Sequence, residues 1–150
     1  MNFEFRETRD VSDEIKKFIF QNTESYNFGN ESNINKPIVL PEGSKVYECY
    51  LNEKLVAFIV LEYLPKTDEC IKDNYLYEII FGKLINDESI HFTEILRQFL
   101  QNKYDEDLTI FAIVKESNKD KKTVYKILEE IGFVTTDCFS KRMFIPNNNC

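Results

Sequence analysis

Residues 107–133 read DLTIFAIVKESNKDKKTVYKILEEIGF and decide the fold. An almost wholly apolar run at 108–114 is followed by a polar segment at 115–120. Gly132 then suits the left-handed position that ends a helix, and Phe133 restarts an extended chain. Between them, four apolar side chains are spaced so that they share one side of an α-helix: Val124, Ile127, Leu128 and Ile131. A buried strand followed by an amphipathic helix predicts a sheet that is covered by helices.

The segments on either side of this stretch supply the rest of the sheet. Apolar or alternating segments predict five more strands, at 3–8, 46–50, 55–64, 75–84 and 139–145. Helical spacing predicts one helix with an apolar side of Val11, Ile15, Phe18 and Ile19 and another helix over 88–103. Residues 27–45 are predicted to form a long loop. This order predicts the α/β class, with a central mixed sheet of about six to seven strands and helices on both faces.

Length and charge narrow the class of protein. The chain has 150 residues, of which 43% are hydrophobic, and this predicts one domain over 1–146 with a frayed tail at 147–150. The formal net charge of −7 disfavours a nucleic-acid partner, because duplex binders carry a basic face. One local cationic patch is either a solvated loop and helix start or a surface that faces a polyanionic ligand: Lys115, Lys119, Lys121 and Lys122.

The cysteines and the N-terminus bear on the compartment. The four cysteines share no CxxC or CxxH spacing, so we expect no metal site: Cys49, Cys70, Cys138 and Cys150. No signal-like segment opens the chain, and unpatterned cysteines fit a reducing cytoplasm. No apolar run approaches the roughly 20 residues that cross a bilayer, so we expect no membrane partner.

The order of elements over nearly the whole chain, together with Gly132-Phe133, resembles the GNAT superfamily of N-acetyltransferases, the acyl-CoA N-acyltransferase fold. The resemblance implies an enzyme that transfers an acyl group from acetyl-CoA to a small-molecule or peptide amine, and a possible homodimer. It also implies that the strand at 75–84 and the next helix bind the cofactor. The cofactor-binding residues that it implies are Phe81, Gly82, Lys83, Leu84, Ser89, His91, Thr93 and Asn118.

The phosphate-binding motif of that family departs from its usual residues here. The family has Gln/Arg-x-x-Gly-x-Gly/Ala before the helix that binds the cofactor's diphosphate. In this chain Asp87 stands at the first position, and Ile90 and Phe92 stand at the two small ones. Branched and aromatic side chains keep the backbone away from a phosphate, whereas glycine lets it approach. Asp87 and Glu88 would repel a diphosphate, so the sequence predicts a weakened diphosphate site.

Two residues are candidates for the proton transfers of acyl transfer. Glu78 lies on the strand where working relatives often carry a carboxylate base, and a half-buried carboxylate with a raised pKa suits that role. Leu128 stands where the family often has a tyrosine acid, and Tyr125, one turn earlier, is the candidate substitute. The alternatives are that Glu78 points to solvent, that Tyr125 only packs, and that Asn118 caps a helix.

Three interpretations remain open from the sequence. The first is an acetyltransferase, the second a catalytically silent module of the same fold, and the third a different α/β fold. A serine or cysteine hydrolase is disfavoured, because His91 is the one histidine and no nucleophile motif accompanies it.

Overall fold

The structure, a computed structural model, describes residues 1–22, 38–64, 76–103, 109–115, 117–138 and 141–146. The predicted segments at 65–74 and 147–150, and most of the long loop at 27–45, lie outside the described residues. The strands are β1 (Glu4–Thr8), β2 (Lys45–Leu51), β3 (Lys54–Leu64), β4 (Leu76–Lys83), β5 (Thr109–Val114), β6 (Phe133–Cys138) and β7 (Lys141–Pro146). The helices are α1 (Asp13–Gln21), α2 (Phe92–Asn102) and α3 (Lys121–Glu130).

The seven strands form one sheet in the order β1-β2-β3-β4-β5-β7-β6. All neighbours are antiparallel except β4 and β5, which are parallel. The mixed sheet of the predicted α/β class is confirmed. The strand predicted at 139–145 is β7, and the strand before it, β6, which forms a hairpin with β7, was not predicted. The Val134-Thr135-Thr136 run after the helix is β-branched and favours extended chain, a signal that the sequence interpretation did not use.

The predicted hairpin is β2–β3, and its turn explains the two polar residues between the strands. Asn52 has a φ of 51° and Glu53 a φ of 66°, so both residues are left-handed. Two consecutive residues with positive φ are the requirement of a type I′ turn, whose twist matches that of the flanking strands. The turn sets the register of β2 and β3 next to it, in which Leu51 is opposite Lys54.

Helices cover both faces of the sheet, as predicted. The α1 helix, which is capped by the Ser12 hydroxyl accepting from the Ile15 N–H, packs Ile15 and Ile19 on one face. The α2 and α3 helices pack on the other face, where the larger core lies. The α1 face is completed from the sheet by Val46, Phe58, Val60 and Ile80. The α2/α3 face contains Tyr47, Ile59, Tyr77, Ile79, Ile95, Leu96, Phe99, Ile110, Ala112 and Leu128.

The α3 helix has the predicted apolar side. Leu128 is fully buried, and Val124, Ile127 and Ile131 are partly buried against the same core. The helix ends where the sequence indicated: Gly132 has a φ of 102°, and its N–H donates to the Glu129 carbonyl. This arrangement holds α3 behind β5, and it assigns Leu128 to packing.

Candidate functional site

The parallel strands β4 and β5 separate part-way along their length. Their ladder has three residue pairs and ends at Glu78 and Phe111, although the strands continue to Lys83 and Val114. Past that point β5 pairs on its other side with β7, from Ala112 onward. Among the described residues no ladder pair joins the remaining parts of β4 and β5. We call this separation, which begins at Glu78 and Phe111, the fork.

Glu78 lies at the fork on the α1 face of the sheet. Its strand neighbour two residues on, Ile80, packs in the α1 cluster, and alternate residues of a strand share a face. Glu62 of β3 is directly opposite Glu78 in the antiparallel register, and Phe111 of β5 is opposite it on the other side. Both glutamates are half-buried, and Phe111 is buried. A row of two carboxylates and one ring therefore crosses three strands at the fork.

Burial affects the acidity of this row. It raises the pKa of Glu62 above its ordinary value, because a partly dehydrated carboxyl group favours its neutral form. Directly opposite side chains of antiparallel strands have Cβ atoms about 4.5–5.5 Å apart. The Glu62 and Glu78 side chains are therefore cross-strand neighbours on the α1 face.

Sequence reasoning missed Glu62. The signal that finds it is the antiparallel register of β3 and β4, in which Glu62 falls opposite Glu78. The distance along the chain hides this proximity, because 65–74 separates the two residues.

A tight turn at residues 87–90 joins β4 to α2, and we call it the donor turn. The Asp87 carboxylate accepts the Ser89 N–H at 3.0 Å and the Ser89 hydroxyl at 2.6 Å. The Ile90 N–H donates to the Asp87 carbonyl at 3.2 Å. The Ser89 hydrogen bonds hold the pKa of Asp87 below its ordinary value, so this carboxylate is ionised.

Lys83 fastens the donor turn from the end of β4. Its Nζ donates to the Asp87 carbonyl at 2.7 Å and to the Ile90 carbonyl at 2.9 Å. The turn also corrects the predicted start of the helix. Residues 88–91 lie in the turn, so α2 begins at Phe92.

The donor turn differs from the sequence prediction in which side chain occupies it. Ile90 is 4% exposed and packs in the larger core, so it does not stand over the backbone as expected. Phe92 packs its ring on Phe81, with centroids 5.0 Å apart. That a branched residue at position 90 weakens phosphate binding stays a prediction. The group that fills the turn is the Asp87 carboxylate.

The remaining predicted cofactor residues lie at the end of β4, Gly82 and Leu84, and at the start of α2, His91 and Thr93. Gly82 is buried near the end of β4 and pairs with Phe58, and Leu84 continues the strand by donating its N–H to the Val56 carbonyl at 2.8 Å. His91 is the exposed N-cap of α2, and its side chain makes no capping hydrogen bond. Thr93 is half-buried in the first turn of that helix.

Asn118 and Tyr125 belong to the segment after β5. The Asn118 side-chain oxygen accepts the Asp120 N–H at 2.8 Å, and the N-cap residue of α3 is Asp120. The alternative that Asn118 caps the helix was therefore wrong by two residues. Tyr125 is half-buried and packs against the α2/α3 core, on the face of the sheet opposite Glu78. Glu78 and Tyr125 therefore lie on opposite faces of the sheet.

One part of this site, the fork, suits a coenzyme A molecule, and another part, the donor turn, does not. The fork leaves the strand edges of β4 and β5 apart, which suits an extended pantetheine arm. The donor turn does not suit a diphosphate, because an ionised carboxylate already holds its Ser89 N–H and hydroxyl. The fit is therefore confined to the thioester end.

Solved structures resemble the whole chain. A complex of the acetyltransferase AAC(6')-Ib with ribostamycin and coenzyme A has a TM-score of 0.66 and 10% identity, over 99% of this chain and 94% of that one. The N-acetyltransferase PseH of Campylobacter jejuni has a TM-score of 0.62 and 10% identity, over 98% and 99%. This chain has the GNAT fold. No protein-family model matches the sequence, and no curated protein matches it either.

A third GNAT structure shows how far acceptors vary. RimL, a ribosomal alpha-N-protein acetyltransferase in complex with coenzyme A, has a TM-score of 0.57 and 10% identity, over 95% of this chain and 92% of that one. Structures of one GNAT fold therefore include an aminoglycoside complex and a protein acetyltransferase. The acceptor is not readable from the fold alone.

No helix in the part of the chain that the structure describes has both the length and the apolar character to cross a membrane. No group of three His, Cys, Asp or Glu side chains there is placed to hold a metal ion.

Proposed function

We propose that this protein is an acetyl-CoA-dependent N-acetyltransferase that acts on a cationic amine. The observation that supports the proposal is the half-buried Glu78 at the fork, the point where the strands of a GNAT fold separate. GNAT structures that share this fold were solved with coenzyme A or acetyl-CoA, and the fork suits the arm of that cofactor.

The cofactor supplies an acyl group activated as a thioester. Glu78 then has the role of a general base: its carboxylate accepts the proton that an ammonium must lose before its nitrogen can attack. Glu62, opposite it, places a second carboxyl group beside Glu78 on the α1 face, where an acceptor amine can donate a hydrogen bond to it. The C–S bond of the thioester breaks as the new C–N bond forms, and Tyr125, which packs on the α2/α3 side, is the candidate to protonate the leaving thiolate.

The charges of the fork favour a positively charged acceptor. Two half-buried carboxylates lie side by side there, and the chain has a formal net charge of −7. An acidic surface raises the local concentration of cationic ligands. Aminoglycosides, polyamines and basic peptide termini are therefore the first acceptors to examine, consistent with the aminoglycoside complex among the similar structures.

Cofactor binding is the first experiment. A thermal-shift titration with acetyl-CoA is expected to raise stability, by about 2.7 kcal/mol at 100 times the dissociation constant. Release of the free thiol is then followed with each class of amine. Millimolar acetyl-CoA that neither shifts the melting temperature nor supports thiol release with any amine would leave a silent module of the same fold.

The role of Glu78 is tested by replacing its carboxylate with an amide. Glu78→Gln is expected to lower kcat by about 100-fold or more, because general base catalysis contributes roughly 10²–10⁴. Glu130→Gln, at the exposed end of α3, removes the same charge away from the fork and serves as the control. Equal turnover by the two variants across the pH range would exclude Glu78 as the base.

A further inference from the structure

The donor turn already contains an anion. Three hydrogen-bond donors of the turn itself surround Asp87. Its carboxylate accepts the Ser89 N–H and hydroxyl, and its main-chain carbonyl accepts the Ile90 N–H. Backbone N–H groups and a hydroxyl before a helix N-terminus are the groups that bind a phosphate when no side chain takes them. Here the Asp87 side chain has taken the Ser89 N–H and hydroxyl, and the Asp87 main-chain carbonyl has taken the Ile90 N–H.

The nearby cation is engaged in the same way. Lys83 directs its Nζ at the carbonyl oxygens of Asp87 and Ile90, at 2.7 and 2.9 Å, and so holds the turn closed. An incoming diphosphate would have to displace the Asp87 carboxylate from Ser89 and would then lie close to the negative charge of that carboxylate. Close like charges disfavour that exchange.

The fork does not depend on these contacts. It is formed by the end of the β4–β5 ladder at Glu78 and Phe111, whereas the donor turn begins at Asp87, beyond the end of β4. The pantetheine arm of an acyl donor and its phosphates would therefore contact separate parts of the chain. The donor turn can be closed to phosphates while the fork stays open to the arm.

We propose that Asp87 determines donor specificity by occupying the donor turn in place of a phosphate, so that the donor is held by its pantetheine arm. The inference rests on the proposed function. It assigns the donor a chemical class: a thioester of a pantetheine arm, for which the diphosphate contributes little to affinity. It also makes Asp87 an internal competitor of that diphosphate.

The experiment compares two probes that share the arm and differ in the phosphates. Coenzyme A and pantetheine are titrated by calorimetry into the wild-type protein and into Asp87→Ala. The wild type is expected to bind the two probes within about threefold of each other. Asp87→Ala is expected to bind coenzyme A about tenfold more tightly, and to bind pantetheine as the wild type does.

Two further variants separate the carboxylate from general charge effects. Glu88→Ala removes the same charge from the next residue, which makes no hydrogen bond in the donor turn among the described residues, and is expected to change coenzyme A affinity by less than about threefold. Asp87→Asn keeps a side-chain oxygen for Ser89 and is expected to fall between wild type and Asp87→Ala. Circular dichroism of each variant establishes that it is folded.

The outcomes separate this inference from the proposed function. A wild type that binds coenzyme A at least about thirtyfold more tightly than pantetheine would overturn the inference and leave the transferase intact. Equal gains from Asp87→Ala and Glu88→Ala would also overturn it, because the effect would then be one of net charge. If no variant binds either probe at millimolar concentration, the proposed function and the inference both fail.

Discussion

The fork and the donor turn are adjacent parts of one site, yet different forces hold them. The fork is formed by backbone pairing between β4 and β5, supported by fully buried side chains on both faces. The donor turn is formed by the polar contacts of three residues, Lys83, Asp87 and Ser89, most of them exposed to solvent. Hydrophobic packing involves many residues and tolerates sequence change, whereas a polar turn changes with a single residue.

This difference explains how the chain has the GNAT fold at 10% identity to AAC(6')-Ib although the Asp87 carboxylate occupies its donor turn. Any set of apolar side chains of suitable volume can keep β5 and α3 together. A phosphate at the donor turn would need particular hydrogen-bond donors, and the carboxylate of Asp87 occupies those of Ser89. We expect the fork and the turn to respond differently when each is perturbed.

The largest effect is expected from the packing behind the fork. Leu128 is fully buried between α3 and the sheet, at the position where the family often has a tyrosine. Leu128→Ala is expected to lower the free energy of unfolding by about 2–5 kcal/mol, because it leaves a cavity behind β5. Urea denaturation monitored by circular dichroism measures the change.

Val39→Ala is the matched control for that substitution. Val39 is 80% exposed, so its truncation is expected to change the free energy of unfolding by less than about 0.5 kcal/mol. A Leu128→Ala protein as stable as the Val39→Ala protein would contradict the description of the fork as a product of core packing.

The sheet and helices that surround the fork were largely predictable from the sequence, and the donor turn was not. The apolar spacing of Val124, Leu128 and Ile131 reports the buried side of a helix directly, because periodicity follows from geometry. Burial of that side then indicates a sheet covered by helices. The β6–β7 hairpin was missed because the segment before 139 was given no strand, although its β-branched residues favour one.

The charges of the site depended on contacts that no local pattern contains. Asp87 was identified from the sequence as a residue that repels phosphate, but its hydrogen bonds to Ser89 arise from the conformation of the turn. Ile90 was expected to obstruct the backbone because its direction into the core was unknown. Glu62 was missed because strand register brings it to Glu78.

An intermediate effect is expected when the donor turn loses its fastening. Lys83→Met removes two hydrogen bonds to the carbonyls of Asp87 and Ile90 and is expected to lower the free energy of unfolding by about 1 kcal/mol. The amide of Ile90 is expected to exchange its hydrogen faster, while amides of β5 keep their protection. Hydrogen exchange followed by NMR measures both regions in one experiment.

Lys126→Met, on the exposed side of α3, controls for the loss of a lysine charge. It is expected to leave exchange at the donor turn unchanged. If Lys83→Met instead accelerates exchange throughout β4 and β5, the fork and the turn form one cooperative unit and the comparison between them does not hold.

The smallest effect concerns the pH dependence of stability, and here the two regions should differ in sign. Burial raises the pKa of Glu62, so the folded protein keeps a proton on this carboxyl that the unfolded chain has released. Its stabilising contribution is full below the unfolded pKa and is lost as the pH rises through the folded pKa. For Asp87, the hydrogen bonds from Ser89 lower the pKa, and the contribution is present above the unfolded pKa and lost as the pH falls.

Amide variants convert this difference into a measurement. The stability of Glu62→Gln relative to wild type is expected to rise as the pH increases from about 4 towards 7, because the variant has no carboxyl group to ionise. The relative stability of Asp87→Asn is expected to rise in the opposite direction, as the pH decreases below about 4. Glu42→Gln, at an exposed position, is expected to give a flat difference and serves as the control. Parallel curves for Glu62→Gln and Asp87→Asn would show that the acids of the fork and of the turn share one environment, whereas opposite slopes follow from a dehydrated carboxyl group in one region and a hydrogen-bonded carboxylate in the other.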